Sequence, residues 1–416
     1  KVTKFKIEKN FRGPRKVILE LQHNAIQLTK GKKSQIFKNM TDSDVWKALL
    51  SSRQLVYKTT STSLTHSEII QFNSTDWEFL LNRVEANGML IRILGNVFSV
   101  FSPSANQAVN LILENDATIL DYDWEVDSFN QFSEVSGISW NPEAQSILES
   151  KGHDGNWDTP GNLSGVELAT VVNSGKISIP HGGKRNSEEL KSIADNYLLR
   201  SRMSKVNGTF TTMGYPWIDE LGTFLNLSGW GDTFDGNVLV SAISHHFSLS
   251  QGWISQISTG MPQTSLFGAV NSMQNFEEKR LTSFVPGLQI GKVTALESDP
   301  EGAFRIAVNI PILGDKDREI WARIAHPDAG DQRGIIFYPE IGDEVVLGFL
   351  NEDLRDPVIL GSLNSNAKPS PFSPQDDNYK KGIFTRSGMK LQFDEDQKSI
   401  QIETSNGNSI LLNEKE

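Results

Sequence analysis

The clearest helical pattern in the chain lies in "STDWEFLLNRVEANG", residues 74–88. Its apolar residues recur at the spacing of a helix that buries one face: Trp77, Leu80, Leu81 and Val84. Thr75 and Glu78 have the spacing of a capping box, and Gly88 stands where a helix would end. These features predict a helix that starts after Thr75.

A second helix is predicted after Ser187, in "NSEELKSIADNYLLRSRMSKVNG". Its buried stripe is expected to consist of Leu190, Ile193, Ala194, Tyr197 and Leu198. The segment "MLIRILGNVFSVFS" predicts strands, and the turn-rich residues from Gly152 to Gly165 predict an exposed loop. Residues 1–285 therefore combine strands with a few inserted helices.

Near Pro286 the pattern changes to a period of two. Apolar residues alternate with others along a predicted half-buried strand, where Phe304, Ile306, Val308 and Ile310 are separated by Arg305, Ala307 and Asn309. The runs "EIWARIAHP", "GDEVVLGFL" and "DPVILGSL" follow at short intervals. Several short strands without a strong helix predict a small barrel.

The end of the chain carries a different repeat. "NSNAKPSPFSPQDDN" has the composition of a linker, and short strands then recur about every ten residues between the turns "DEDQ" and "NGN". The apolar positions of these strands alternate with polar ones: Met389, Leu391, Phe393, Ile400, Ile402, Ile410 and Leu412. No helix follows to cover them, so the ladder should stack on itself or on copies of itself.

Composition and charge exclude several classes of protein. The 416 residues are 38% hydrophobic and 22% charged, as expected for a folded chain long enough for two to four domains. The net charge of −11 argues against a nucleic-acid partner, although "KVTKFKIEKN" and "KGKKSQIFK" are locally basic and predict a solvated edge or a docking surface. The absence of cysteine excludes disulfides and thiolate metal sites.

No targeting or membrane-spanning segment is predicted. No apolar run approaches the roughly 18 residues of a membrane span, and no signal peptide is visible. The chain starts without methionine and ends inside a strand pattern, which leaves open that its ends are trimmed.

Paired carboxylates are the strongest candidate for chemistry. In "GDEVVLGFLNEDLRDPVILG", Asp343 and Glu344 precede one apolar run, and Glu352 and Asp353 precede the next. Two carboxylates can act as general acid and general base only where their surroundings separate their pKa values. The short runs rich in β-forming residues instead favour a hairpin whose turns are acidic.

Other motif fragments are incomplete. "SGMK" at Ser387–Lys390 lies in the strand repeat and lacks its companion motifs, and "PHGGKR" at Pro180–Arg185 has no Gly-x-Ser-x-Gly elbow to serve. "DGNWD" at Asp154–Asp158 lacks the glycine and glutamate of a calcium loop, since Thr159 and Gly165 stand there. No P-loop or dinucleotide fingerprint occurs. We therefore predict no catalytic, cofactor-binding or metal-binding residues, no cofactor and no enzymatic activity.

Adjacent histidines do not change that prediction. His245 and His246 are neighbours in a predicted strand, so they point to opposite faces and cannot form the His-Glu-x-x-His pair of a zinc protease. A structural or interface role is favoured for both.

Taken in order, several segments resemble the VgrG-type spike proteins of contractile injection systems. In the first part these are "TDWEFLLNRVEANGM", "GISWNPEAQSI", "SIADNYLLRSR", "MGYPWIDELGTFLNLSG" and "FDGNVLVSAISHHFSLSQGW". In the second part the matching positions are His326, Pro327, Ala329, Gly330, Pro339, Gly342, Asp343, Glu344, Val345, Asp353, Pro357 and Gly361. That family fuses a phage tail-hub module to a tail-spike module.

The resemblance implies a mainly β fold with inserted helices. Residues 1–285 would form an α+β hub of two similar barrel-like domains, and 286–366 an oligonucleotide/oligosaccharide-binding (OB) type barrel that joins hub to needle. Residues 367–381 would be a linker, with no room for the lysozyme domain of phage relatives. Residues 382–416 would start a trimeric β-helical needle with the seven tail positions as its shared core.

The resemblance also implies partners. The protein would form a homotrimer whose hub matches a hexameric inner tube protein, with baseplate proteins around it and a PAAR-type spike-tip protein and effectors at the needle. It would assemble in the cytoplasm and be delivered outside the cell or into a target cell, meeting a target membrane only on firing. Lys30, Lys32 and Lys33 are candidates for docking on the tube.

Two questions stay open in the sequence. A type VI secretion apparatus, an extracellular phage-tail-like particle and a phage tail all fit the pattern. The alternative from another class is a carbohydrate-binding or carbohydrate-acting OB-barrel protein, which the nine tryptophans suggest. That alternative needs aromatic residues exposed on the barrel, whereas Trp321 and Phe337 are predicted to be core residues.

Overall fold

The structure is a computed structural model that describes residues 1–11, 13–104, 112–114, 119–155, 157, 160–173, 175–214, 221–261, 285, 287–313 and 319–414. The predicted boundary at Pro286, the calcium-loop positions Asp158 and Thr159, and residues 215–220 of one hub motif lie outside these ranges. Within them, no helix combines the length and apolar character needed to cross a membrane.

The first half of the chain contains all four described α-helices: α1 (Asp42–Ser52), α2 (Asp76–Ala86), α3 (Gly165–Val171) and α4 (Ser187–Met203). Its strands up to residue 101 are β1 (Val2–Lys9), β2 (Arg15–Leu21), β3 (Lys33–Thr41), β4 (Val56–Thr59), β5 (Thr65–Ser74), β6 (Leu90–Leu94) and β7 (Val97–Phe101). The predicted capping box is present, because Thr75 and Glu78 each accept a backbone N–H of the other.

The strands that follow are β8 (Ile112–Glu114), β9 (Ile119–Val126), β10 (Glu134–Asn141), β11 (Ser146–Lys151), β12 (Lys176–His181), β13 (Val206–Met213), β14 (Phe224–Ser228), β15 (Gly236–Ser248) and β16 (Gly252–Thr259). A six-stranded sheet has the order β8-β14-β15-β16-β13-β9, which leaves β9 at one edge. The division of residues 1–285 into two similar barrels stays a prediction.

Helix α4 packs directly on the three-stranded sheet β11-β10-β12. A Cβ at Gly137 would collide with the backbone of Leu190, and one at Gly152 with that of Ala194, so these two glycines permit the close approach. Leu190, Ala194 and Leu198 are buried there, as the helical periodicity predicted. This packing fixes the turn after β12 next to the start of α4.

The second half contains the predicted barrel. Strands β17 (Gln289–Ala295), β18 (Ile306–Asn309), β19 (Glu319–Ile324), β22 (Glu344–Phe349) and β23 (Pro357–Ser362) close in the order β17-β18-β19-β23-β22. Between β19 and β22 lies the small ribbon of β20 (Ala329–Gly330) and β21 (Arg333–Gly334). The antiparallel pairing of β22 with β23 confirms the predicted hairpin. Ile70 of β5 packs into the barrel core, so hub and barrel share apolar contacts.

Two side-chain predictions in the barrel are wrong. Phe304 lies before β18 with a positive φ and is 85% exposed, while Ala307, predicted to be on the outer face, is buried. Phe337 was predicted in a core strand, but it lies in an extended segment between β21 and β22 and is 58% exposed. Alternation predicts which residues share a face, but it does not say whether that face is covered.

The chain ends in a four-stranded antiparallel meander of β24 (Lys380–Phe384), β25 (Lys390–Asp394), β26 (Ser399–Glu403) and β27 (Ser409–Asn413). Its register places Leu391 opposite Ile402 and Ile402 opposite Ile410. The neighbouring row runs through Phe393, Ile400 and Leu412. Six of the seven predicted tail positions therefore share one face of one sheet, and Met389 lies just before β25.

Candidate functional site: a charged joint and uncovered apolar surfaces

The hub and the barrel meet at a buried ion pair. The turn after β12 brings Arg185 against the short turn between β22 and β23, where its guanidinium donates to Asp353 and lies 2.8 Å from Asp356. A Cβ at Gly183 would collide with the carboxylate of Asp356, so a glycine is needed for this approach. The fragment "PHGGKR" is thus a docking turn.

A second arginine crosses the joint in the opposite direction. Arg355 of the barrel donates to Asp353 at 2.9 Å and to Glu189 of α4 at 2.8 Å. Glu189 lies 3.4 Å from Nδ1 of His66, whose Nε2 lies 3.1 Å from Asp42. Because Arg83 donates to Asp42 at 2.6 Å, a continuous charged network runs from α2 through α1, β5 and α4 into the barrel.

These contacts lower the pKa of Asp353 and Glu189, whereas burial and the neighbouring charge of Asp353 raise the pKa of Asp356. Burial raises the pKa of Asp353, but the charges of Arg355 and Arg185 and a hydrogen bond from His181 hold it well below its usual range. Burial also raises the pKa of Glu189. The hydrogen bond of His66 and the charge of Arg355 outweigh that effect, so the pKa falls to about 2. A carboxylate with so low a pKa is a poor general acid or base at neutral pH.

The same place contains a group of possible metal ligands. His181, Asp353 and Asp356 each offer a ligand atom, and these atoms lie within 4.8 Å of one another. The guanidinium of Arg185 contacts all three residues, with Nη2 3.0 Å from Nε2 of His181. Arg185 thus supplies the positive charge that an ion would bring, and the cluster holds two domains together.

Asp343, another carboxylate of the predicted hairpin, shapes a turn. Asp343 accepts the backbone N–H of Glu340 at 2.9 Å and the ammonium of Lys368 at 2.6 Å. Burial raises its pKa, but those two hydrogen bonds and the charge of Lys368 together leave the pKa below its usual value. Asp353 therefore pairs with arginines in the joint, whereas Asp343 binds a lysine and a turn. The two carboxylates do not form an acid–base pair.

The remaining motif residues have local partners. His245 and His246 are neighbours in β15, and Nδ1 of His245 lies 2.8 Å from Oγ of Ser255. Ser387 lies in the turn between β24 and β25, away from any helix start, and Lys390 pairs with Glu403 at 2.9 Å. The structure brings none of these residues to the joint.

The tube-docking candidates differ in their surroundings. Lys30 and Lys32 are exposed. Lys33 is half-buried and its ammonium lies 2.9 Å from Asp76, whose side chain is fully buried and also accepts from Arg53. Lys33 thus has a structural partner, while the tube-docking role of all three lysines stays a prediction.

Apolar surfaces remain uncovered in the single chain. Besides the tail residues Met389, Phe393, Ile400, Ile402, Ile410 and Leu412, the barrel exposes Ile335, Ile336, Phe337, Tyr338 and Ile341, and the hairpin β1–β2 exposes Val2, Phe5, Ile7, Val17, Leu19 and Leu21. Single exposed apolar residues are ordinary, but contiguous groups mark interaction surfaces. The sequence pattern predicted the apolar face of the tail, and for the start of β1–β2 it predicted a solvated edge or a docking surface from charge alone.

Two family matches cover most of the chain. The family described as "Alg8 N-terminal domain" matches residues 1–248, and the family described as "Type VI secretion system/phage-baseplate injector OB domain" matches residues 289–363. The second range coincides with the closed barrel β17–β23. These matches confirm the barrel and its family.

Two curated relatives come from Vibrio cholerae serotype O1. The actin cross-linking toxin VgrG1 is 30% identical over 82 residues, which are 20% of this chain and 8% of that protein. The type VI secretion system spike protein VgrG3 is 31% identical over 87 residues, which are 20% of this chain and 9% of that protein. The chain thus spans less than a tenth of either relative.

Solved structures share the fold at low identity. The E. coli c3393 protein, described as a type VI secretion component similar to the bacteriophage T4 tail proteins gp27 and gp5, has a TM-score of 0.50 at 12% identity, over 87% of this chain and 82% of that one. A tail protein from Neisseria meningitidis gives a TM-score of 0.44 at 16% identity, over 62% and 78%. The chain belongs to the family described as Alg8 N-terminal domain, and over about a fifth of its length it is similar to VgrG proteins.

Proposed function

We propose that this protein is the hub and central spike of a contractile injection machine. It would adapt a trimeric needle to a hexameric inner tube and puncture the target membrane when the machine fires. The observation that carries the proposal is the one-sided apolar face of the meander β24–β27, which follows the OB barrel and is uncovered in the single chain. The spike and phage-tail relatives support the same role.

Burial explains why the tail calls for more than one chain. Covering an apolar side chain of this size contributes roughly 1.5 to 3 kcal/mol, and the two rows of the meander hold at least six of them. The opposite face carries polar groups, including the Lys390–Glu403 pair. Three copies that turn their apolar faces inward would share one core and pair their free edges.

The charged joint suits a part that transmits force. Arg185 and Arg355 reach from opposite sides of the boundary, and both contact Asp353, which is buried. Truncating one member would leave a buried charge without its partner, which is costly. Such a joint resists sliding of the hub against the barrel, as a hub pushed by a tube requires.

The proposal includes the partners implied by the family. They are further copies of this chain, the inner tube protein, baseplate proteins, and a PAAR-type spike-tip protein with effectors. The machine would assemble in the cytoplasm and carry this chain outward on firing. We assign the chain no catalytic role, because Asp353 is engaged in the joint and Asp343 in a turn, so neither pair has both carboxylates available.

One observation favours the carbohydrate-binding alternative. Phe337, Tyr338 and Phe304 are exposed on the barrel, as a sugar platform would require. However, Ile335, Ile336 and Ile341 are exposed in the same segment, and an aliphatic strip fits a protein partner better than a hydroxyl-rich ligand. Glycan-array binding that is lost in Phe337→Ala but kept in Ile336→Ala would favour the alternative.

The direct test of the proposed function is the mass and shape of the purified protein. Light scattering should give a trimer, and electron microscopy should show a threefold spike that caps rings of the purified inner tube protein. A soluble monomer with an ordered, protease-resistant tail would overturn the proposal.

A further inference from the structure

The hairpin β1–β2 packs against none of the other residues that the structure describes. Every residue of β2 is exposed, and in β1 only Glu8 is half-buried. Phe5 of β1 lies opposite Leu19, and Ile7 opposite Val17, so these apolar side chains share one face. A two-stranded hairpin is marginally stable by itself, and this one therefore needs a partner.

The hairpin is strongly basic in an acidic protein. Residues 1–21 contain seven lysines and arginines but only two glutamates, against a net charge of −11 for the whole chain. Lys4 pairs with Glu20 at 3.0 Å and Lys6 pairs with Glu8, but both are exposed pairs of the kind worth at most about 1 kcal/mol. Lys9 lies directly opposite Arg15, and like charges so placed disfavour the isolated hairpin.

An acidic strand of the hub offers a matching surface. β9 is the edge strand of the six-stranded sheet, so its outer backbone groups have no strand partner within the described residues. Asp121, Asp123 and Glu125 alternate along β9, are exposed, and make no ion pair with described lysines or arginines. Leu120 and Tyr122 on the other face are 49% and 53% exposed.

The two strands have the same alternation with opposite charge. In β1 the order is Lys4, Phe5, Lys6 and Ile7, and in β9 it is Leu120, Asp121, Tyr122 and Asp123. Side chains alternate between faces with a period of two, so a strand laid along β9 in either direction can match both faces together. The lysines then meet the carboxylates, while Phe5 and Ile7 meet Leu120 and Tyr122.

We infer that β1 of one copy adds to the open edge of β9 in a second copy, so that the hairpin clasps neighbouring hubs together. The occupant is another copy because β1 and β9 of this chain have opposite charge and the same alternation, and both are exposed within the single chain. Backbone hydrogen bonds would give affinity and the alternating side chains would set register, as in other cases of strand addition. The inference rests on the oligomer in the proposed function and assigns one of its contacts.

The absence of cysteine allows a clean cross-linking test. One tagged full-length chain carries Ile7→Cys, and a differently tagged full-length chain carries Leu120→Cys. A bifunctional maleimide about 10 Å long spans a register offset of two residues. After co-production, the expected product joins the two tags, which only a contact between copies can give. The matched control replaces Leu120→Cys by Ile147→Cys, an exposed residue of β11, and should give no such product.

Charge reversal provides a second test of the contact between β1 and β9. Asp121→Lys with Asp123→Lys should reduce the cross-linked product roughly tenfold, and Lys4→Glu with Lys6→Glu in the other chain should restore it. Light scattering of the same samples distinguishes the proposed trimeric spike from the inferred contact between β1 and β9. A trimer without the cross-link overturns this inference and leaves the proposed function standing, whereas a monomer overturns both. An equal product in the Ile147→Cys control, or cross-linking of Ile7→Cys to added tube protein instead, also overturns the inference.

Discussion

The guanidinium of Arg355, at the turn between β22 and β23, lies 2.8 Å from the carboxylate of Glu189 in the first turn of α4. This contact joins residues 166 positions apart and connects the barrel to the charged network of the hub. The hub and barrel are therefore held by directional, charge-assisted hydrogen bonds as well as by the apolar contact of Ile70.

Loss of Arg185 should loosen the joint. Arg185→Met leaves Asp356 without its ion-pair partner and Asp353 with one arginine instead of two, and breaking a buried pair of this kind costs roughly 3 to 5 kcal/mol. Urea unfolding of the full chain should show this cost as a lower midpoint. Lys184→Met is the matched control, since Lys184 makes exposed pairs and should change stability by less than about 1 kcal/mol. Equal midpoints for the two variants would contradict a stabilising role of Arg185 in the joint.

Glu189 makes the joint sensitive to acid. Its pKa is about 2 in the folded chain, below the usual 4.5, so its stabilising effect is complete above about pH 4.5 and is lost as pH falls toward 2. Near pH 5 to 6 the difference in unfolding free energy between the native protein and Glu189→Gln should be roughly 2 to 4 kcal/mol, and it should shrink as pH falls further. The difference should also decrease as pH rises through the pKa of His66, which burial lowers but the hydrogen bonds with Asp42 and Glu189 raise overall. Glu188→Gln, an exposed neighbour, should show no such trend. A difference that grows as pH falls below about 5 would have the wrong sign.

Most elements predicted from local pattern are present in the structure, although Trp157 of the predicted exposed loop is buried. Helix α2 has its predicted cap at Thr75, and the hairpin of β22 and β23 closes the predicted barrel. These features depend on residues a few positions apart, where spacing fixes which side chains share a face. The face shared by Leu391 and Ile402 was predictable for the same reason.

The joint could not be predicted in this way. Arg185 and Asp353 are 168 positions apart, and nothing in "PHGGKR" shows that its arginine meets a carboxylate of the barrel. The exposure of Phe337 was also missed, because an apolar segment in a chain that assembles can be covered by another chain. Sequence pattern identified the apolar faces but not what covers them.

No hydrolytic activity is expected from the hairpin carboxylates. Asp353 contacts Arg185 and Arg355 with its pKa held well below the usual range, so it can neither donate nor accept a proton usefully at neutral pH. Purified protein incubated with peptidoglycan should release no soluble fragments, while added lysozyme should release them from the same sample. Release that disappears in Glu344→Gln would show that the hairpin has a catalytic role.

The three tube-docking lysines should behave differently. Lys30→Glu with Lys32→Glu should weaken co-sedimentation with the inner tube protein, and more so at low salt, because both side chains are exposed. The double variant Lys30→Glu, Lys32→Glu should be as stable as the native protein. Lys33→Glu should instead lower stability, since it places a carboxylate beside the buried Asp76. Unchanged co-sedimentation of the double variant at every ionic strength would remove these lysines from the interface.

Charges placed on the apolar face of the tail should prevent assembly of the needle. Ile400 lies between Phe393 and Leu412 in the sheet, and Ile402 lies between Leu391 and Ile410. Ile400→Asp with Ile402→Asp puts carboxylates in both rows, and three chains would bring six of them into one core. Light scattering should then show loss of the trimer, or limited proteolysis should cleave the tail. The hub and barrel should remain folded.

The opposite face of the same strands provides the control. Gln401 lies between Gln392 and Leu411, on the polar side of the meander, so Gln392→Asp with Gln401→Asp adds the same charge to the same sheet. If burial of the apolar face drives assembly, this variant should remain trimeric with a protected tail, because its carboxylates stay in water. Equal loss of the trimer in both variants would mean that net charge or strand propensity controls the tail. A trimer in both would place its core elsewhere, with the exposed strip of the barrel from Ile335 to Tyr338 as the next surface to test.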